Sequence, residues 1–434
     1  MSNLEPAPVE VACHPWSVAG TEVLHPREVP LGGPRAIRVP RTLPQRQRSL
    51  IGARCFIDHY GPVSARIDVP PHPHTGLQTV SWLFSGEVEH RDSAGVHAVV
   101  GPGELNLMTA GAGICHAEVS AGAQPVLHGV QLWVALPASD RDTGRDFAHY
   151  APTPRSLQGA VVWVFLGELA GSRSPVHTFT PLLGAQIDLD AGTELDIDVD
   201  PAFEHGVLCH LGLVDVDGTH LGVAELAYRS AGQSQLHLRN AGDWPARVLL
   251  LGGTPFAEEL VMWWNFVGPS HDDIVRYRRL WEDGDERLGA VRGYRGSVTR
   301  LPAPPLPTTR LRPRPIPQRK EREVAMTADK TGAETTVRLE DCRYTIAVEG
   351  KQVGLADFAD RGDQRVFFHT EIDPAYGGRG LATILLEEAL NEARDEGKRI
   401  VPVCSMIGTV LKKHPEYDDI TDPVTADVQR WLQS

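Results

Sequence analysis

Two short stretches of this chain carry residue types at a spacing that suits chemistry. They are Pro71-His72-Pro73-His74 and Cys115-His116-Ala117-Glu118. In each, two potential ligands are separated by one residue, and both stretches read as β-strands. Side chains two apart on a strand point to the same face, so His72 pairs with His74 and His116 with Glu118. If the two strands face each other inside a barrel, three imidazoles and one carboxylate converge on one point. That donor set suits a first-row divalent metal: iron(II) first, with manganese, nickel, copper and zinc compatible. Four protein ligands around an ion that prefers six leave two positions open for reactants. One histidine pair alone reads as structural; a second pair at matching spacing makes a metal site the stronger reading. Cys115 falls on the opposite strand face and reads as core.

A second stretch points to phosphate chemistry. Tyr376-Gly377-Gly378-Arg379-Gly380-Leu381-Ala382 opens a segment whose Leu381, Leu385, Ala389 and Ala393 share one helical face. A Gly-rich loop leading into a helix offers unpaired N–H groups and the positive helix end, which can cradle a pyrophosphate, although such a loop alone is more often a plain turn. Downstream, the apolar strand Ile400-Val401-Pro402-Val403 delivers Cys404, whose thiol could contact or accept an acyl group or pack as a small hydrophobe. His414, just before Pro415, reads as a turn residue first and as a base second.

The elements that must position these groups follow from the rest of the chain. Its 434 residues exceed one ordinary core, and 41% hydrophobic with 23% charged residues is the mixture of globular protein. A formal charge of −14 argues against direct nucleic-acid binding or an anionic membrane surface. No apolar run is long enough for a bilayer, the polar start lacks the regions of a signal peptide, and the six cysteines form no Cys-x-x-Cys pair. These features together predict a cytoplasmic protein with reduced thiols.

From Ile51 to Leu136, short β-rich runs alternate with Gly and Pro turns, and a second such set runs from Val161 to Leu251. The pattern predicts a repeated β-barrel with exchanged edge strands. His205 and His210 lie in the second set without a ligand partner two residues away and read as ordinary histidines. Met262-Trp263-Trp264-Asn265-Phe266 leads to a helix with Ser270 as N-cap, Asp272 and Asp273 in its first turn, and Ile274, Tyr277 and Trp281 at helical spacing; the paired tryptophans read as packing. Residues 301–324 are rich in Pro and Arg and read as an extended linker. Beyond them, a meander of strands, the Gly-rich loop, a helix and a further strand make a small α+β domain. The expected domains are thus a metal-binding barrel over residues 1–137, a metal-free barrel with a terminal helix over 138–300, the linker over 301–324, and the α+β domain over 325–434.

The blocks Asp58-His-Tyr-Gly-Pro62, Pro71-His-Pro-His-Thr-Gly76, the segment Gly86 to Gly95 containing His90-Arg-Asp-Ser93, and Thr109-Ala-Gly-Ala-Gly-Ile-Cys-His-Ala-Glu118 resemble the signatures of the pirin family of bicupins, over residues 27–286. The resemblance implies two cupin (double-stranded β-helix) barrels and iron(II) on His72, His74, His116 and Glu118 in the first barrel only. It also implies quercetin 2,3-dioxygenase activity on a flavonol, as in bacterial members, or a regulatory role in binding a protein partner, as in others. Where cupins commonly carry a carboxylate four residues after His74, this chain has Gln78, so Glu118 must supply the negative ligand and a base. On this reading a flavonol hydroxyl gives up its proton, dioxygen attacks the activated ring, and carbon monoxide leaves.

The loop, the Ile400–Cys404 segment and His414-Pro-Glu-Tyr417 resemble the short single-domain branch of the GNAT (Gcn5-related) N-acetyltransferases, over residues 334–420. That resemblance assigns Gly378, Arg379, Gly380 and Ala382 to the pyrophosphate of acetyl-CoA, and the thiol of Cys404 is the candidate to contact or accept the acetyl group. The usual Gln or Arg at the start of the GNAT motif is replaced by Gly377. The alternative for the whole chain is a metal-containing regulatory or scaffolding protein whose GNAT-like domain acts on, or binds, a shared partner.

Overall fold

The computed structural model describes residues 21–31, 37–45, 48–64, 66–122, 126–312, 321–340, 342–361 and 364–432. These fall into two compact units, which divide between residues 316 and 317.

The first unit is built from two β-barrels, each made of a long and a short sheet. In the first barrel a seven-stranded sheet, with Leu127–Ala135 and Leu77–Ser85 near its centre, faces a four-stranded sheet in the order Asp68–His74, Ile114–Ala121, Glu87–Asp92, His97–Val100. Glu87–Asp92 shows the physics in its plainest form. Val88, His90 and Asp92 are buried and alternate with half-buried Glu87, Glu89 and Arg91, so one face belongs to the interior. The second barrel repeats the plan, with a seven-stranded sheet and a four-stranded one made of Glu194–Asp198, Gln235–Asn240, Val214–Val216 and Thr219–Leu221.

Edge strands are exchanged between the barrels. Glu22–Leu24, from the start of the chain, pairs with Leu226–Arg229 of the second barrel, whereas Asp146–Tyr150, which follows the first barrel in sequence, pairs back onto its Leu105–Thr109. One apolar core, including Phe56, Trp82, Trp133, Phe165, Leu208, Leu249 and Leu251, runs through both barrels. Phe56 stacks on Trp133 at 4.1 Å between ring centroids and Trp82 on Phe165 at 4.5 Å. Polar ties cross the same junction: Trp82 Nε1 donates to Gln186 (2.9 Å), and fully buried Arg54 donates to the carbonyls of Gly252 (2.7 Å) and Leu183. Burial pulls the Arg54 guanidinium down to about 9.

The helix His271–Glu282 is capped by Ser270, whose hydroxyl accepts from Asp273 N, and it buries Ile274, Tyr277 and Trp281. They pack with Trp263, Trp264, Phe266 and Cys115, so the tryptophan pair is core. Part of the Pro-rich stretch packs here as well. Leu301 and Ala303 are buried in this cluster, and Leu301 accepts from Trp281 Nε1 at 2.8 Å.

The second unit is a six-stranded sheet in sequential order: Glu321–Ala328, Glu334–Glu340, Arg343–Val348, Lys351–Arg361, Gln364–Ile372 and Arg399–Pro402. Every pairing is antiparallel except the last, which is parallel because the helix Leu381–Asp395 makes the crossover. The predicted stripe Leu381, Leu385, Ala389 and Ala393 is buried against the sheet. The first strand begins inside the stretch read as linker; its pairing with the Glu334–Glu340 strand was not anticipated.

Candidate metal and acyl-binding sites

The strands carrying the two ligand pairs are hydrogen-bonded neighbours within one sheet, not opposed across the barrel. Ile114–Ala121 pairs antiparallel with Asp68–His74 and sets His116 directly opposite His72 and Ile114 opposite His74. On its other side it pairs with Glu87–Asp92, which sets Glu118 opposite His90 and His116 opposite Asp92. Convergence therefore comes from register on one concave face. The register shifts between His116 and Glu118, where the partner strand runs through Pro70 and Pro71. Prolines have no N–H to give to the ladder, so a bulge belongs there, and it adjusts the aim of the following side chains.

All four predicted ligands are buried, with His72, His74 and His116 at 0% exposure. The potential ligand atoms of these three histidines lie within 4.8 Å of one another, and those of His90, His116 and Glu118 form an overlapping group of the same compactness. Each of the three imidazoles is oriented from behind. His72 Nδ1 contacts the Pro70 carbonyl at 2.8 Å and His74 Nδ1 the Asn265 carbonyl at 3.1 Å. A carbonyl only accepts, so both Nδ1 atoms carry the proton and both Nε2 atoms present lone pairs. His116 Nδ1 faces His90 Nδ1 at 3.4 Å, and His90 Nε2 faces the Asp92 carboxylate at 3.2 Å. Asp92 accepts from His90, His90 accepts from His116, and the lone pair of His116 is left on Nε2.

The Nε2 atoms of His72, His74 and His116 have no hydrogen-bond partner among the described residues. A buried polar atom left unpaired costs roughly 1–3 kcal/mol, so three aimed at one point are the signature of a site shaped for a cation. Burial, with added repulsion from neighbouring imidazoles, holds all three well below the usual histidine range, and they stay neutral and ready to donate electron pairs. The Ser81 hydroxyl lies 3.2 Å from Glu118 Oε1 and 3.0 Å from Gln131 Oε1 and shares its one proton between them; Ser81 and Gln131 both reach in from the long sheet. Trp133 closes another side, edge-on to His74 at 5.0 Å. The donor set thus fits a first-row divalent ion.

Gln78 is buried on the long sheet and donates to Thr109 Oγ1 at 2.9 Å. It is not one of the clustered ligand groups. Cys115 is buried in the helix-side core, and burial raises its thiol to about 12. Sequence reasoning missed His90 as a member of this constellation. Its signal was there in the alternation Val88, His90, Asp92, which shares the period of the inward face.

In the second unit, Gly378 and Gly380 adopt positive φ (78° and 79°), which turns the loop into the helix Leu381–Asp395. The first N–H groups of that helix, at Leu381 and Ala382, have no intrahelical acceptor, and its first turn carries no acidic residue. The Arg379 side chain, expected on a pyrophosphate, instead pairs with the buried Asp329 carboxylate and donates to Thr331 Oγ1 at 3.1 Å. What Arg379 presents to an anion is therefore its backbone. Cys404 caps the helix Ser405–Leu411, and its N–H donates to the Phe367 carbonyl at 2.9 Å. It thus sits where Arg399–Pro402 ceases to pair with Gln364–Ile372. His414 lies between Glu387 and Glu416, 2.9 Å from each, in a turn before Pro415.

Comparison with known proteins agrees with both halves. Residues 36–134 match the pirin domain, 184–287 the pirin C-terminal cupin domain, and 343–420 a GCN5-related N-acetyltransferase domain. A Pseudomonas aeruginosa protein provisionally named as a quercetin 2,3-dioxygenase is 45% identical over 286 residues, spanning 65% of this chain and 89% of its own length. The chain belongs to the pirin family. A pirin-like protein of Caulobacter vibrioides is 34% identical over 58% of this chain and 90% of its own. Among solved structures, a quercetin 2,3-dioxygenase from Acinetobacter baumannii aligns over 68% of this chain and 97% of itself, with a TM-score of 0.64 and 36% identity. The fold is mainly β, of the cupin type, with a small α+β domain of GCN5-related type at its C-terminal end. No helix among the described residues is long and apolar enough to cross a membrane.

Proposed function

We propose that the first barrel binds iron(II) through His72, His74, His116 and Glu118 and supports dioxygenation of a flavonol such as quercetin. The observation that carries this reading is the set of three buried, unpartnered Nε2 atoms grouped beside Glu118. The quercetin 2,3-dioxygenase names of relatives at 45% and 36% identity support the substrate class. When bound, the ion would supply Lewis acidity toward a substrate hydroxyl and a redox-active centre for dioxygen.

The remaining steps belong to the protein. Pro70 and Asn265 fix the tautomers of His72 and His74, and the Asp92–His90 pair fixes that of His116. Ser81 steadies one oxygen of Glu118, which accepts the hydroxyl proton of the flavonol, the only carboxylate in the ligand set able to do so. Trp133 and the surrounding apolar wall exclude water from the reacting ring. Protein reconstituted with iron(II) under nitrogen and mixed with quercetin and oxygen should consume both and release carbon monoxide. Fully loaded protein that leaves quercetin unchanged and its spectrum undisturbed would favour the regulatory alternative.

For the second unit the proposal is acetyl-CoA binding, with the pyrophosphate on the backbone N–H groups from Gly378 to Ala382 and Cys404 beside the acyl group. The match of residues 343–420 to an acetyltransferase domain and the acid-free helix start support it. Titration of the full chain with acetyl-CoA should show saturable binding that Gly378→Val weakens at least tenfold. Binding that is absent, or indifferent to that change, would leave the domain with a GNAT-like fold alone.

A further inference from the structure

A second histidine cluster lies where the two barrels meet, outside the constellation just described. His59 comes from the strand Arg54–Val63 and His128 from Leu127–Ala135, both in the first barrel, whereas His210 comes from Glu204–Leu211 in the second. His59 Nε2 is 3.2 Å from His128 Nε2 and 2.7 Å from His210 Nδ1, and ligand atoms of all three fall within 4.8 Å of one another. His59 and His210 are buried, at 1% and 3% exposure, and His128 is half-buried, which gives the cluster a side toward solvent. Phe84 stacks on His210 at 3.5 Å between centroids and forms one wall.

Hydrogen bonding alone does not satisfy this arrangement. His59 Nε2 faces two other ring nitrogens at once. If it carries a proton, it can donate well to only one of them; if it carries a lone pair, two donors compete for that single pair. A cation removes the conflict by accepting one lone pair from each ring. Around a tetrahedral zinc ion with Zn–N bonds of about 2.0–2.1 Å, ligand nitrogens sit about 3.3 Å apart. The 3.2 Å pair already has that spacing, and the 2.7 Å pair reaches it by a small opening of the rings. We propose that His59, His128 and His210 form a second metal site, for a divalent ion with a preference for imidazole nitrogen such as zinc, that clamps the two barrels together.

The surroundings set its strength. Burial keeps His59 and His128 neutral down to about 4 and depresses His210 further, so no ligand must lose a proton at neutral pH. The nearby cation, Arg247, is held by Asp188 through two bonds of 2.6 Å, which offsets its charge. The set contains no carboxylate, and His59 Nδ1 has no acceptor among the described residues. The site should therefore bind more weakly than the four-ligand site and keep a fourth position for water.

The test uses the full chain with the first site disabled by His72→Ala and His116→Ala, dialysed free of metal and titrated with zinc(II) chloride. Circular dichroism checks the fold. The expected result is one equivalent bound at the barrel junction, with a rise in thermal midpoint, and at least tenfold weaker binding when His210→Gln or His128→Gln is added. His128 is half-buried, so its substitution decides the question if His210→Gln does not fold. If the disabled background itself does not fold, the same His128→Gln change in the otherwise intact chain should lower zinc stoichiometry by one. A folded background that binds no zinc, or binding untouched by His128→Gln, would overturn the proposal.

Discussion

The two barrels of the first unit share a sheet plan and differ in what fills it. In the second barrel the short sheet turns Leu195, Ile197, Val214, Val216, Leu236 and Leu238 inward, and all are buried in one apolar cluster. The corresponding sheet of the first barrel turns His72, His74, His90, His116 and Glu118 inward. A buried aliphatic side chain stabilises by about 1.5–3 kcal/mol, whereas each unpaired imidazole nitrogen costs a comparable amount. The same scaffold therefore serves once as a packed apolar core and once as a polar interior that works against its own stability. A bound metal would return that free energy.

The sharpest way to break this contrast is to truncate one residue on each side of it. His116→Ala should abolish metal retention in the first barrel and with it quercetin turnover, while leaving the metal-free midpoint close to wild type; metal analysis after desalting reads the effect. Leu238→Ala should do the reverse, costing roughly 2–5 kcal/mol of stability in denaturant titration with metal bound per folded molecule unchanged. A His116→Ala protein whose metal content does not fall by one equivalent would erase the distinction between the barrels.

Acid should act on the buried imidazoles of both barrels. The depressed histidines of the first barrel and of the barrel junction, together with His205 of the second barrel, are neutral when folded and take up protons when unfolded. Stability of the metal-free protein is therefore complete above about 6.5, the unfolded histidine value, and falls as pH drops through the window toward about 4, where His59 and His128 titrate in the fold. Thermal melts between pH 7 and 4.5 should show this decline, and bound metal should steepen it, because protonation competes for the same lone pairs. A flat profile over that window would contradict the assignment of neutral, buried imidazoles.

Smaller effects refine the site. Ser81→Ala removes one support of Glu118 and should lower metal affinity about 10-fold, by analogy with other groups that orient metal ligands, with little change in the midpoint of the metal-free protein. At the edge of the comparison, Ser270→Ala deletes a helix cap remote from the inward faces and should cost about 1 kcal/mol without touching metal content.

Much of this was legible in the chain because it is local. A His-x-His and a His-x-Glu on strands define a common face, Ser270 with two following aspartates announces a helix start, and the stripe from Leu381 to Ala393 announces an amphipathic one. What depended on register was not legible. The ligand strands turned out to be neighbours, with a bulge near Pro70, and His90 entered through its pairing opposite Glu118. His210, read as an ordinary histidine, meets His59 and His128 only because the barrels pack there; 151 residues separate it from His59. The Arg379 side chain likewise found Asp329, 50 residues away, in place of a ligand phosphate. Neither meeting leaves a periodic trace in the sequence.

If His72, His74, His116 and Glu118 hold a redox-capable metal that supports oxygenation of a flavonol, oxygen uptake must depend on that flavonol. The most direct measurement is oxygen uptake by the full chain, loaded anaerobically with one equivalent of iron(II), with and without quercetin. Uptake should depend on quercetin, with one dioxygen consumed per quercetin lost, and His116→Ala should abolish it. Stoichiometric iron in the folded protein with no quercetin-dependent uptake would contradict it.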